Sequence, residues 1–167
     1  MYFAAQWDKT LKAITYAVVV FLIVEAIGIS IALFLTTSQT MALLVTILIV
    51  ICNTLILGFT YLYAPQGYVV DESGITVTRK RAPVHIEFES IKEVSRIERD
   101  RFMKSLRIFG NGGLFGYYGS FRNKELGNFK MYATHGDCGV LIDADKTYVM
   151  TPDRADEFVE VVRSYLS

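Results

Sequence analysis

Two runs of 23 residues, Ala13–Leu35 and Met41–Tyr63, are apolar almost throughout, and between Ala13 and Val70 the single charged residue is Glu25. As helices rising 1.5 Å per residue, each run would be about 34 Å long, more than the roughly 30 Å of a bilayer's hydrocarbon core. The polar stretch Thr36-Thr37-Ser38-Gln39-Thr40 between them is so short that the two helices must lie antiparallel. Tyr16, Tyr61 and Tyr63 fall near the ends of the runs, where amphipathic rings favour a membrane interface. Pro65 and Gly67 stop the second helix. The first run is too long for the apolar core of a cleaved signal peptide, no small-x-small site follows it, and a second span comes at once. Lys9 and Lys12 precede the pair, Arg79-Lys80-Arg81 follow it, and the connecting turn carries no charge. The positive-inside rule then predicts two crossings of the cell membrane with both termini cytoplasmic.

From Tyr68 onward the period changes. Tyr68–Val70 and Ile75–Thr78 read as strands around the turn Asp71-Glu72-Ser73-Gly74, and Val84, Ile86 and Phe88 alternate with polar residues. Ile91, Val94 and Ile97 are spaced by three, so Ser90–Arg99 fits a helix or an irregular strand. Asn128–Thr134, Gly139–Ile142 and Thr147–Thr151 are further strand candidates, separated by turns rich in Gly and Asp. Thr151-Pro152-Asp153 has the order of cap, first-turn proline and acidic residue, and Phe158, Val162, Tyr165 and Leu166 give the following helix one apolar face. Six or seven short strands and a terminal helix predict a small curved sheet or barrel closed at one end. The whole is an α+β membrane protein: residues 1–67 form a transmembrane hairpin and residues 68–167 a cytoplasmic sheet domain. The apolar pattern of 68–167 looks self-contained, so that segment is expected to fold by itself without metal.

Composition sharpens this picture. Seventeen Lys and Arg balance seventeen Asp and Glu, which argues against a nucleic-acid partner. Ten Tyr, eleven Phe and one Trp exclude intrinsic disorder. Cys52 and Cys138 give no disulfide framework. Charge is polarised along the second half: residues 79–130 hold twelve Lys and Arg against six Asp and Glu, whereas residues 136–167 hold three against seven. This fits a basic face toward anionic headgroups, with Arg79, Lys80 and Arg81 as candidate contacts, and it fits equally an evenly solvated surface.

The segment Arg107-Ile-Phe-Gly-Asn-Gly-Gly-Leu-Phe-Gly-Tyr-Tyr-Gly-Ser-Phe121, followed by Leu126–Thr134 and by Val149-Met-Thr-Pro152, resembles the bacterial PH-domain families found behind transmembrane helix pairs. The resemblance implies a pleckstrin-homology-like fold and a membrane setting. It brings no catalytic residue and no cofactor.

Other chemistry is sparse. Gly110, Gly112 and Gly116 approximate a dinucleotide fingerprint, but the spacing is wrong, no capped helix follows, and the Lys-Ser/Thr of a P-loop is missing. The glycines instead suit a bent or bulged strand with Phe109, Phe115 and Phe121 packed inward, or an aromatic loop dipping into the membrane interface. His135, Asp137 and Cys138 fall short of a four-ligand zinc site, so they read as a polar turn. No catalytic or metal motif is present, and no enzyme activity is expected. Within the hairpin, Glu25 and Asn53 lie at depths that differ by about 3 Å near the midplane. An ionised carboxylate there is costly, so Glu25 is expected to face Asn53, a hairpin Ser or Thr, or a second copy of the chain.

Two functions fit these features. The first is a membrane-anchored, non-enzymatic interaction or scaffolding module, whose partners are membrane lipid and either another protein or itself. The second is a small membrane sensor or transport accessory that uses Glu25, with the sheet domain as regulator.

Overall fold

The computed structural model describes residues 1–166; Ser167, the last residue of the expected domain, lies outside the described residues. The chain opens with a short strand, β1 (Tyr2–Ala4), and then enters the long helices α1 (Lys9–Thr36) and α2 (Gln39–Tyr63). The Asp8 carboxylate caps α1 by accepting from the Leu11 N–H at 2.6 Å, and the Ser38 hydroxyl caps α2 by accepting from Met41 at 3.4 Å. Both helices extend beyond the apolar runs because these caps lie outside them. Ala64 leaves helical geometry at ψ 139°, as a residue before proline must, and Pro65 starts the next strand. The most apolar stretches of α1 and α2 are 0 % and 6 % buried within the chain, so their side chains face outward along lengths sufficient to cross a membrane. Few polar bonds join the two helices: the Thr46 hydroxyl donates to Ser30 Oγ at 3.1 Å and the Asn53 amide to the Leu22 carbonyl at 3.3 Å.

Beyond the helices come β2 (Pro65–Asp71), β3 (Gly74–Arg79), β4 (Val84–Glu87), β5 (Glu93–Glu98), a short α3 (Arg99–Met103), β6 (Leu106–Gly112), β7 (Tyr117–Asn123), β8 (Gly127–Ala133), β9 (Cys138–Asp143), β10 (Thr147–Met150) and α4 (Ala155–Leu166). Ser90–Arg99 is therefore mainly strand. Val94 and Ile97, which suggested a helical period, are buried on opposite faces of the six-stranded sheet. The glycine-aromatic segment divides into β6 and β7.

The strands form two sheets. One has the order β1-β2-β3-β4 and is antiparallel throughout; the other has the order β5-β9-β10-β8-β7-β6, antiparallel except where β10 runs parallel to β8. Between them lies the main core, where Tyr68, Val70, Ile75 and Val77 of β2 and β3 meet Tyr118, Tyr132, Val140 and Met150 under α4. A second core on the other face of the six-stranded sheet gathers Phe121, Phe129, Met131 and Phe102 with Leu11, the first buried residue of α1.

This arrangement changes three expectations. β2 begins at Pro65, three residues before the expected boundary at Tyr68, and β1 from the start of the chain pairs with it. Phe3 is fully buried and meets Phe158 edge-on at 5.0 Å, so the core of the sheet domain also draws on a residue outside 68–167. Thr151 and Asp153 do not cap α4. Thr151 Oγ1 accepts from Thr134 N and Asp153 Oδ1 accepts from Ala4 N, while the first turn of α4 closes on the Arg154 carbonyl. The face of α4 also turns: Phe158 and Val162 are buried, but Tyr165 and Leu166 are exposed, with Tyr165 stacked on Phe88 at 5.0 Å.

Candidate functional site

The hairpin of β6 and β7 reaches the feet of both apolar helices. Asn111 shapes its turn, its side-chain oxygen accepting from Gly113 N at 3.1 Å and Leu114 N at 2.9 Å. Upstream, Gly110 and Gly119 face each other across the two strands at φ 116° and 125°. A Cβ on either would come within 2.3 Å of a carbonyl oxygen on the opposite strand, so the close approach requires glycine. Phe115, at φ 62°, occupies a conformation unusual for a side-chain-bearing residue. It is held there from the helices. Its N–H donates to Thr15 Oγ1 of α1 at 3.1 Å, and its ring packs against Trp7 at 5.9 Å and Tyr61 at 5.4 Å. The Tyr118 hydroxyl donates to the Thr60 carbonyl at 2.8 Å, satisfying one of the last acceptors of α2. The helices are thus clamped to the domain by side chains as well as by short connections.

Beside this clamp opens a cleft of about 640 Å³. One wall is the last turn of α2, with Phe59, Thr60 and Tyr63; the other is the sheet face of Phe109, Tyr118, Ser120, Lys130 and Tyr132. Arg79, the last residue of β3, and Arg107 of β6 also line it. Register explains the grouping: Phe109 pairs with Ser120, Ser120 with Lys130, and Tyr118 with Tyr132, so their side chains share one face of the pleat. Among the described residues, Arg79 and Lys130 form no ion pair, and no carboxylate lines the cleft. Lys130 Nζ donates to Ser120 Oγ at 2.7 Å. The Arg79 guanidinium lies 5.4 Å from the Tyr132 ring and 5.9 Å from the Tyr63 ring, and donates to the Ala82 carbonyl, yet its Nε is buried without a partner. Burial pushes the Tyr118 and Tyr132 hydroxyls above the ordinary tyrosine value, and this outweighs the hydrogen bond from Asn111 at Tyr118 and the Arg79 charge at Tyr132.

The residues singled out in the sequence are scattered by the fold. Of the basic triplet, Arg79 turns into the cleft, Lys80 sits over the Tyr61 ring at 4.4 Å, and Arg81 is exposed with its N–H on the Leu62 carbonyl at 3.0 Å. Phe109 corrects the expectation of an inward ring: it is 78 % exposed, because the register shift between Arg107 and Phe109 and the lack of a neighbour beyond edge strand β6 leave it uncovered. Phe121 does pack inward, on Phe129 at 6.1 Å, and Phe115 is partly buried. In the hairpin, the Asn53 amide is on the Leu22 carbonyl, and Glu25 makes no hydrogen bond or ion pair among the described residues. No group of three or more His, Cys, Asp or Glu side chains suited to a metal occurs among the described residues. Sequence reasoning missed Lys130, Ser120 and Phe59 as neighbours of Arg79. The available signal was alternation, since Tyr118 and Ser120 must share a face, as must Lys130 and Tyr132.

A family model described as Bacterial PH domain matches residues 66–166. The chain therefore belongs to the bacterial PH-domain family, as the glycine-aromatic segment and the Thr-Pro before the terminal helix suggested. No curated protein and no solved structure matches it. PH-like folds are generally non-catalytic and serve as interaction modules. The two outward-facing apolar helices ahead of this one associate it with a membrane.

Proposed function

We propose that this protein is a membrane-anchored, non-enzymatic scaffold, whose hairpin crosses the cell membrane and holds the PH-like domain at the cytoplasmic face. The observation that carries this reading is the clamp at the helix feet. Only four residues separate β1 from α1 and one separates α2 from β2, while Thr15, Thr60 and Tyr61 grip the β6–β7 turn. A domain so attached keeps one orientation to the membrane instead of swinging on a tether, which suits a surface that must meet a partner in register. The flanking Lys9, Lys12, Lys80 and Arg81 support the cytoplasmic side. Single-cysteine accessibility tests this: a probe at Ser38 should label from outside intact cells, and one at the exposed Glu160 only after permeabilisation. Labelling of Glu160 from outside would overturn the orientation.

A second reading concerns Glu25. Asn53 is already bonded to Leu22, and the carboxyl group has no partner within its own hairpin. In a bilayer such a group is turned toward another polar group. This favours self-association through Glu25 of two copies, with a sensor or transport-accessory role as the alternative that an essential ionisation would reveal.

A further inference from the structure

We infer that the cleft between α2 and the β6–β8 face holds the phosphate of an anionic phospholipid, with an acyl chain laid along the α2 side. Three observations converge. First, its three cations, Arg79, Arg107 and Lys130, have no carboxylate partner among the described residues, and the buried Arg79 Nε has no hydrogen-bond partner among them. Cations without a counter-charge favour an anion beside them, and a phosphate oxygen is a fitting acceptor for a guanidinium or an ammonium. Second, Ser120 and Lys130 add a hydroxyl and an ammonium on the same wall, 2.7 Å apart, so that an oxyanion there would meet donors of two kinds. Third, the rim is apolar and open: Phe59 is 58 % exposed on α2 and Phe109 is 78 % exposed across from it. Exposed rings flanking a cationic pocket suit a molecule with an apolar tail and an anionic head. The volume lies within the range of about 300–1,000 Å³ usual for small-molecule sites. The acyl chain is what selects a lipid over a soluble phosphate. This inference rests on the membrane reading, because α2 must be in the bilayer for a lipid to reach the cleft sideways.

The test uses the full chain. Alkaline extraction of cell membranes first reports whether the protein is integral. Recovery in the aqueous fraction would overturn the membrane reading and this inference with it. The purified protein in mild detergent is then titrated by native mass spectrometry with phosphatidylglycerol or phosphatidylcholine. The expected result is preferential retention of phosphatidylglycerol, weakened about tenfold in Lys130→Gln, which loses a charge-assisted bond. Phe109→Ser, at an exposed position that folding does not need, should weaken retention too, whereas Lys124→Gln in the exposed β7–β8 turn should not. Equal retention of the two lipids, or equal loss in Lys130→Gln and Lys124→Gln, would overturn the site. Displacement of the lipid by millimolar glycerol 3-phosphate would overturn the lipid as occupant in favour of a soluble phosphate.

Discussion

Phe3→Ala tests whether the first residues of the chain are structural. Phe3 is 0 % exposed, pairs with Tyr68 across β1 and β2, meets Phe158 edge-on at 5.0 Å and carries the Arg154 guanidinium 5.0 Å over its ring. Truncating a phenylalanine in such a core costs about 3–5 kcal/mol, and the wide spread reflects how far the cavity can collapse. Collapse is restricted here, because β1 is pinned from both sides: Ala4 N donates to Asp153 Oδ1 at 3.1 Å and Asp153 N to the Ala4 carbonyl at 3.0 Å. The upper half of the range is therefore expected, a large share of the 5–15 kcal/mol typical of a domain. Trp7 is the only tryptophan and lies 5.9 Å from Phe115, so its fluorescence follows guanidinium unfolding of the domain in the nanodisc-held chain. The midpoint should fall by roughly 1 M. Tyr2→Ala is the control, since Tyr2 is 53 % exposed and its hydroxyl makes only a 3.2 Å bond to the Gln66 carbonyl; about 0.5–1.5 kcal/mol is expected. Equal midpoints for the two variants would refute the argument that Phe3 belongs to the core. Cooperative unfolding of excised residues 68–167 at the full chain's midpoint would refute it independently.

Three further outcomes follow from the same geometry. Thr15→Val removes the acceptor of the Phe115 N–H and should speed hydrogen exchange at that amide by about tenfold, at a cost of about 1–3 kcal/mol; unchanged exchange would mean that the helix foot does not hold the turn. The buried Tyr68 hydroxyl, which donates to the Tyr132 carbonyl at 2.7 Å, is pushed up to about 12 by burial, against 10.0 for a free tyrosine. The unfolded chain therefore loses this proton first as pH rises, so the contribution is complete below pH 10 and is lost between about 10 and 12, on the order of 3 kcal/mol. Denaturant titrations compared with Tyr68→Phe check this, because that variant should lack the extra alkaline slope. At Glu25, assembly and function retained in Glu25→Gln but lost in Glu25→Leu would establish hydrogen-bonded self-association. Loss of function in Glu25→Gln with assembly intact would establish an ionisable role, and indifference to Glu25→Leu would dismiss both.

What the sequence by itself determined were features that depend on local composition and period. Two 23-residue runs interrupted by one charge fit membrane-spanning helices, and the alternation at Val84–Phe88 and the turn at Asp71–Gly74 mark strands through their own residues. The glycine-aromatic segment carried enough family character to indicate a PH-like domain. Tertiary structure decided the rest. Tyr2–Ala4 is too short to show a period, and becomes a strand only because β2 offers it an edge to pair with. Thr151 resembles a helix cap, but Tyr68, 83 residues away, and Thr134 claim its polar atoms first. Phe109 looks like a core ring, yet on an edge strand nothing covers it. The cleft was the least legible feature, because α2, β3, β6, β7 and β8 each supply part of it and only their register places Arg79, Ser120 and Lys130 together. Local pattern says which residues pair or bury; which distant neighbours they meet is settled when the sheets close against each other and against the helices.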